Sequence, residues 1–407
     1  MNSSKSTKLR YKENISIFTQ FQPIISIKKN RIIGIEALSR GINELTGEII
    51  APLVLFQKAA NDDADLIELD RLCRECALQN FKAIKETYPD LLLFLNIESS
   101  ILDKVSKSDH LISRVKAHSI NPGDIVVEIN ESCTDDIGAL TCFANRYKEY
   151  GFIIALDDIG AGFSNLNRIP LLNPDIIKID RFILRNINCD HYKKEVFKSL
   201  VNLASNTGSL VVAEGIETIE EAILAAELGA DMIQGFYFAK PQNGMPESKI
   251  NKTISAFTEN YKISKDRLAK EKRALIDSLN YVSSGILSTL TGSSCSSMEH
   301  RLKYAIAKES QIECMYVLNS KGTQISDTIL KYDYKRKHKN MLFSPAAKGA
   351  DHSLKAYYYH LVSNNNRNYI SHKYMSMATG SMCITLSQRY LDSDGGTNIL
   401  CIDFLAE

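Results

Sequence analysis

Eight short apolar, β-branched runs, each closed by a polar residue, fill the chain between about residue 18 and residue 241, and they leave few folds open. They are Phe18 to Ile25, Ile32 to Leu38, Leu92 to Ile97, Ile125 to Ile129, Phe152 to Leu156, Ile176 to Ile179, Leu210 to Ala213, and the weaker Met232-Ile233. Continuous apolar runs belong to strands buried on both faces, as in a parallel sheet covered by helices. Helical stretches separate them, so the pattern predicts a (β/α)8 barrel. One joint breaks the repeat. Only Lys28-Lys29-Asn30 lies between the first two runs, too short for a parallel crossover. Those two strands should pair as a hairpin, leaving the first barrel strand antiparallel.

The residues that close the runs carry the chemistry. Gln22 and Glu36 belong to the first two, followed by Asn96, Glu128, Asp157 with Asp158, Lys178 with Asp180, Glu214 and Gln234. A barrel gathers its strand ends at one rim, where active sites lie, so these groups should converge on one bowl. Glu36, Asn96, Glu128, Asp157 and Asp158 form an all-oxygen set without His or Cys, which selects Mg²⁺ or Mn²⁺ over zinc. Consecutive aspartates suit two ions about 3.5–4 Å apart sharing a carboxylate, the arrangement that activates water against a phosphodiester. Lys178 supplies positive charge beside that water, or accepts a proton if its pKa is depressed. Glu214 is the other candidate base, or a further ligand.

With 407 residues, the chain exceeds one ordinary core and suits a barrel plus a smaller domain. A net charge of +1 gives no electrostatic case for wrapping DNA. The basic cluster Lys335 to Lys339 reads as a solvated loop. No run approaches the roughly 20 apolar residues of a membrane span, and the polar N-terminus lacks a signal-peptide core. The nine cysteines are scattered, and the lone CxxC, Cys73 and Cys76, falls in a helical stretch without a second pair to complete a zinc site. Reduced thiols and the missing span indicate a cytoplasmic protein. After Pro241 the composition shifts to a polar stretch and a long charged helical segment, then to strand-turn-strand signals around Met315 to Ile325 and before Ile399 to Phe404. The division predicted is 1–247 barrel, 248–290 linker helix and 291–407 second domain.

Gly34-Ile35-Glu36-Ala37-Leu38-Ser39-Arg40 resembles the name-giving motif of the EAL phosphodiesterases. The accompanying segments agree in order and spacing: Phe21-Gln22-Pro23-Ile24, Glu68-Leu69-Asp70, Asn96-Ile97, Val127 to Ser132, Asp157 to Ser164, Lys178-Ile179-Asp180, Ala213 to Glu217, and Gln234 to Pro241. The resemblance implies a barrel with a reversed first strand, c-di-GMP as substrate and linear pGpG as product. By position it implies Glu36, Asn96, Glu128, Asp157 and Asp158 as holders of the two Mg²⁺ or Mn²⁺ ions. Lys178 and Glu214 would assist the water, and Glu131 would brace the loop after Asp158. Gln22, Leu38, Arg40, Asp180, Gln234 and Pro241 would contact substrate, Arg40 through a phosphate oxygen. Two departures stand out: Ile159 follows the aspartate pair where the family usually has an aromatic residue, and Glu98-Ser99-Ser100 follows Ile97 in place of a Leu-Ser pair. The alternative is a catalytically inactive c-di-GMP receptor. Such receptors lose a metal ligand or the lysine, and this chain keeps them all.

The third segment, with Val317 to Ser326, Asp351 to Tyr359 and Tyr374 to Gly380, resembles Cache-type, PAS-like sensor domains. Its ligand or partner is unspecified. The resemblance of the barrel to EAL domains also implies a homodimer, with the second domain regulating the barrel.

Overall fold

The computed structural model describes residues 7–105, 108–130, 136–162, 166–245, 249–293, 295–331 and 343–406. Glu131 and the basic cluster 335–339 lie outside the described residues. Two compact units divide the chain, Met1–Asp266 and Arg267–Glu407.

The first unit holds strands β1 (Leu9–Lys12), β2 (Ile15–Ser26), β3 (Arg31–Asn43), β4 (Ile49–Ile50), β5 (Leu92–Ile97), β6 (Ile125–Asn130), β7 (Ile153–Ile159), β8 (Ile176–Ile179), β9 (Leu210–Ala213) and β10 (Met232–Ile233). Eight of them close a barrel in the order β2-β10-β9-β8-β7-β6-β5-β3, and the β2–β3 pairing completes the ring. Strand β2 runs antiparallel to both neighbours, whereas the other contacts in the ring are parallel. The hairpin inferred from Lys28-Lys29-Asn30 is present, turning through Asn30 at φ 50°. Strands β1 and β4 extend the sheet beside β2 and β3.

Two apolar layers hold the barrel. Outside it, strand residues such as Ile35, Leu95, Val127 and Leu156 pack on helices that include Asp63–Thr87, Ile137–Glu149 and His191–Thr207. Inside, Ile24, Phe94, Val126, Ala155, Ile176, Val212 and Met232 meet, one from each of seven strands. The eighth strand contributes Gly34, where an added Cβ would lie 2.5 Å from the Phe94 ring. A glycine there makes room for the phenylalanine, and the interior becomes a filled plug, not a pore. Ile159, found where an aromatic residue was expected, is 0% exposed and belongs to the outer core. The thiols of Cys73 and Cys76 are buried on helix Asp63–Thr87, and burial pushes the Cys73 thiol up to about 12, so it stays protonated.

The segment expected as a linker is the helix Lys249–Leu290, and the unit boundary falls within it. Ile250, Ile254 and Phe257 are core residues of the first unit; Leu279, Ile286, Leu287 and Leu290 are core residues of the second. The second unit is an antiparallel sheet of β11 (Ile312–Asn319), β12 (Ile329–Leu330), β13 (Asn368–Ile370), β14 (Tyr374–Met375), β15 (Met382–Leu391) and β16 (Thr397–Leu405), ordered β12-β11-β16-β15-β13 with β14 beside β15. Tyr357 and Tyr358 of helix Ala356–Ser363 are buried while Tyr359 is exposed, as the helical turn requires.

Candidate active site

A strand repeats every two residues, so the residue two places past an interior plug residue faces the same way, one layer nearer the rim. That rule generates the site. Plug residues 34, 94, 126, 155, 176, 212 and 232 are followed two places on by Glu36, Asn96, Glu128, Asp157, Lys178, Glu214 and Gln234. On the reversed β2, Ile24 is preceded by Gln22. Each barrel strand thus supplies one polar side chain to a single layer.

Lys178 occupies the centre of that layer and is 1% exposed. Its Nζ lies 2.5 Å from Glu128 Oε1, 2.7 Å from Glu214 Oε1, 3.0 Å from Asp157 Oδ1 and 3.9 Å from Glu36 Oε2. Two amides hold Glu36: Asn96 Nδ2 donates to Oε1 at 3.0 Å, and Gln234 Nε2 donates to Oε2 at 2.6 Å. Gln234 also donates to Gln22 Oε1 at 3.3 Å, and Gln22 donates to the Ala239 carbonyl at 3.2 Å. Asp158 has φ 60°, a left-handed conformation that interrupts the β7–β8 register between Leu156 and Ile159. The irregularity lets two consecutive aspartates serve one site, with Asn130 Nδ2 donating to Asp158 and the Asp158 amide donating to Asp157 Oδ1 at 3.0 Å.

The layer opens into a cavity of about 810 Å³ lined by Gln22, Glu36, Leu38, Asn96, Asp157, Asp158, Lys178, Glu214 and Gln234. Glu128, 1% exposed, is not part of the lining. Arg40, Asp180 and Pro241 do not line the cavity either. Arg40 donates to the Ser39 carbonyl at 2.8 Å, and Asp180 caps a helical turn by accepting from the Phe182 amide at 2.7 Å. Asn130, Asp70, Arg74 and Phe236 line it without having been singled out for the site. Asn130 was legible in principle, standing two residues beyond Glu128 on the same strand.

Five carboxylates share one ammonium here. Burial pushes Glu128 and Glu214 well above the ordinary carboxylate value and raises Asp157 as well, with Lys178 opposing it in each case. Burial and the neighbouring Asp157 lift Asp158 to about 6. Burial pulls Lys178 down, but Asp157, Glu128, Glu214 and Glu36 outweigh it and hold the ammonium well above its ordinary value. Carboxylates crowded until they hold protons are ones that a cation could take over. Asp157, Asp158 and Glu214 each offer an oxygen within 4.8 Å of the others, and Glu128 Oε2 and Gln234 Oε1 are buried without a hydrogen-bond partner among the described residues. Hard, partly orphaned oxygens of this kind fit a divalent metal.

A profile of the EAL domain matches residues 7–241. Among curated proteins, the EAL-domain-containing protein YkuI of Bacillus subtilis is 29% identical over 239 residues, covering 58% of each chain. Escherichia coli PdeB, named a "Probable cyclic di-GMP phosphodiesterase", is 27% identical over 231 residues, or 56% of this chain and 43% of PdeB. The chain thus spans about half the length of the curated relatives it matches. Among solved structures, Bacillus subtilis YkuI in complex with substrate c-di-GMP and calcium superposes with a TM-score of 0.80 over 96% of both chains at 23% identity, a likeness of fold. The EAL enzyme Bd1971, bound to cAMP and cyclic-di-GMP, gives 0.52 at 26% identity over 59% of this chain and 64% of its own. Among the described residues no helix is long and apolar enough to cross a membrane.

Proposed function

The chain belongs to the EAL-domain family, and from that premise we propose that it is a cyclic-di-GMP phosphodiesterase that opens c-di-GMP to linear pGpG. The observation that carries the reading is the buried Lys178 ammonium within 4 Å of four carboxylates at the floor of a large cavity. Glu36, Asn96, Glu128, Asp157 and Asp158 would hold Mg²⁺ or Mn²⁺, and Glu214 stands close enough to share in that role. When bound, two such ions lower the pKa of a water and neutralise charge on the phosphodiester.

The protein's own groups divide the remaining work. Lys178 keeps its proton and presents fixed positive charge where the phosphate gains negative charge. Glu214 accepts the proton of the attacking water, its carboxylate being held 2.7 Å from Lys178 Nζ. Gln22, Leu38 and Gln234 bind substrate from the cavity wall, and Arg40, Asp180 and Pro241 do so only if substrate extends beyond that wall. Glu131 would brace the loop after Asp158.

Incubating the purified full chain with c-di-GMP and Mg²⁺ should yield pGpG, and excess chelator should stop the reaction. Full turnover in chelator would exclude the metal-dependent reading. Tight binding without turnover would identify a receptor.

The second unit supports a PAS- or Cache-like sensor through its antiparallel sheet and the helices packed on it. We read the chain as a homodimer whose second domain tunes the barrel. Light scattering on the full chain tests the assembly, and a monomer at micromolar concentration would exclude it.

A further inference from the structure

A cavity of about 20 Å³, room for one water or one halide-sized ion, shares Arg74 and Ile97 in its lining with the catalytic cavity. Its polar lining comes from Arg71 and Arg74 of helix Asp63–Thr87, with Ser108, His110 and Tyr147, and among the described residues no carboxylate lines it.

Arg74 is 8% exposed and spends Nη2 on Asp70 Oδ2 at 2.5 Å. Its Nε and Nη1 are buried with no hydrogen-bond partner among the described residues. An unpaired buried donor is destabilising, so these N–H groups call for an acceptor. Arg71 has no ion pair among the described residues, only a contact of 3.5 Å from Nη2 to Ser108 Oγ. Helix His110–Ala117 begins at the cavity, adding the positive end of its dipole. Among the described residues the nearby carboxylates are already paired: Asp70 with Arg74 itself, Glu75 with Arg114 and His118, and Asp109 with Arg146 and Tyr150. Glu68 is exposed and borders only the surface groove outside. Burial, together with Arg71, Arg74 and Arg114, pushes the His110 imidazole below its ordinary pKa, as expected where the potential is positive. That surface groove, about 340 Å³, shares Arg71 and His110 with the cavity and offers a way in.

We propose that this cavity is a binding site for one halide-sized monovalent anion, held between Arg71 and Arg74. A water could accept from two of these donors, but it is neutral. It could not balance the positive charge of Arg71, and that imbalance favours an anion. The site is independent of the phosphodiesterase reading, although Arg74 connects the two cavities and its partner Asp70 accepts from the Glu98 amide at 3.1 Å, two residues beyond Asn96.

Crystals of the full chain grown in sodium bromide should show an anomalous peak within hydrogen-bonding distance of Arg74. At constant ionic strength, chloride or bromide should raise the melting midpoint above that in gluconate. Arg71→Gln should weaken the apparent halide affinity at least fivefold. The double variant Asp70→Asn with Arg74→Gln should do the same without leaving Asp70 unpaired. A water without anomalous signal overturns the proposal, as does a halide effect unchanged in both variants. A peak without any halide effect in solution means binding at crystal concentration only and equally overturns it.

Discussion

Replacing Lys178 by Met would leave Glu128, 1% exposed, without its counter-charge. An uncompensated buried charge costs about 3–5 kcal/mol. We expect Lys178→Met to melt well below the parent in chelator, to recover part of the loss in Mg²⁺, and to turn over c-di-GMP far more slowly. Equal melting of variant and parent in chelator would mean that Glu128 does not depend on this ammonium. In the second unit, Asp403 is 3% exposed, accepts from Thr385 Oγ1 at 2.8 Å and from Cys314 Sγ at 3.2 Å, and is lifted by burial from 3.8 to about 6. Its folded pKa lies above the unfolded one, so the folded state binds more protons between those values. Stability should therefore fall as pH rises from about 4 to about 6 and then level off, by at most about 3 kcal/mol. Asp403→Asn should flatten that slope and raise stability at pH 7. Urea denaturation at pH 4.5 and 7 checks both signs, and a variant with the parent's slope would assign the pH dependence to another group.

At the scale of single elements, β10 is two residues long, and backbone contacts fix the loop that leaves it. Gln234 N donates to the Ala213 carbonyl at 2.9 Å, Ile216 N donates to the Gln234 carbonyl at 3.1 Å, and Tyr237 N donates to the Ile216 carbonyl at 3.0 Å. Gly235 sits among them so closely that a Cβ would meet Ile216 O at 2.0 Å. Backbone atoms cannot rotate away as a side chain can, so Gly235→Ala should cost about 3 kcal/mol. It should also move Gln234 away from Glu36, lowering turnover in the soluble fraction. A variant with the parent's denaturation midpoint and rate would show that the loop relaxes freely.

For the whole molecule, the helix Lys249–Leu290 decides where the chain can be cut. A chain ending at Met245 would lack Ile250, Ile254 and Phe257, all buried in the core of the first unit. Losing the phenylalanine alone costs about 3–5 kcal/mol by the measure of core truncations. We expect that chain to aggregate and one ending at Asp266 to fold. Comparing the latter with the full chain by light scattering and turnover then measures what the second unit contributes. Identical oligomeric state and rate would dismiss regulation under those conditions.

The sequence by itself determined the barrel and its rim layer of polar residues, because both rest on local regularities. Buried strands announce themselves as apolar runs, a three-residue joint forces a hairpin, and the period of two carries Gln22, Glu36, Asn96, Glu128, Asp157, Lys178, Glu214 and Gln234 to one rim. Closure of the ring decided the rest. Five strands had to come into register before Lys178 could stand among Glu36, Glu128, Asp157 and Glu214. The same closure left Arg40, Asp180 and Pro241 off the cavity wall and brought in Asp70 and Arg74 from a helix. Composition marked 249–290 as a helix, but not that its two ends belong to different cores, since burial is a relation between segments that no local pattern records.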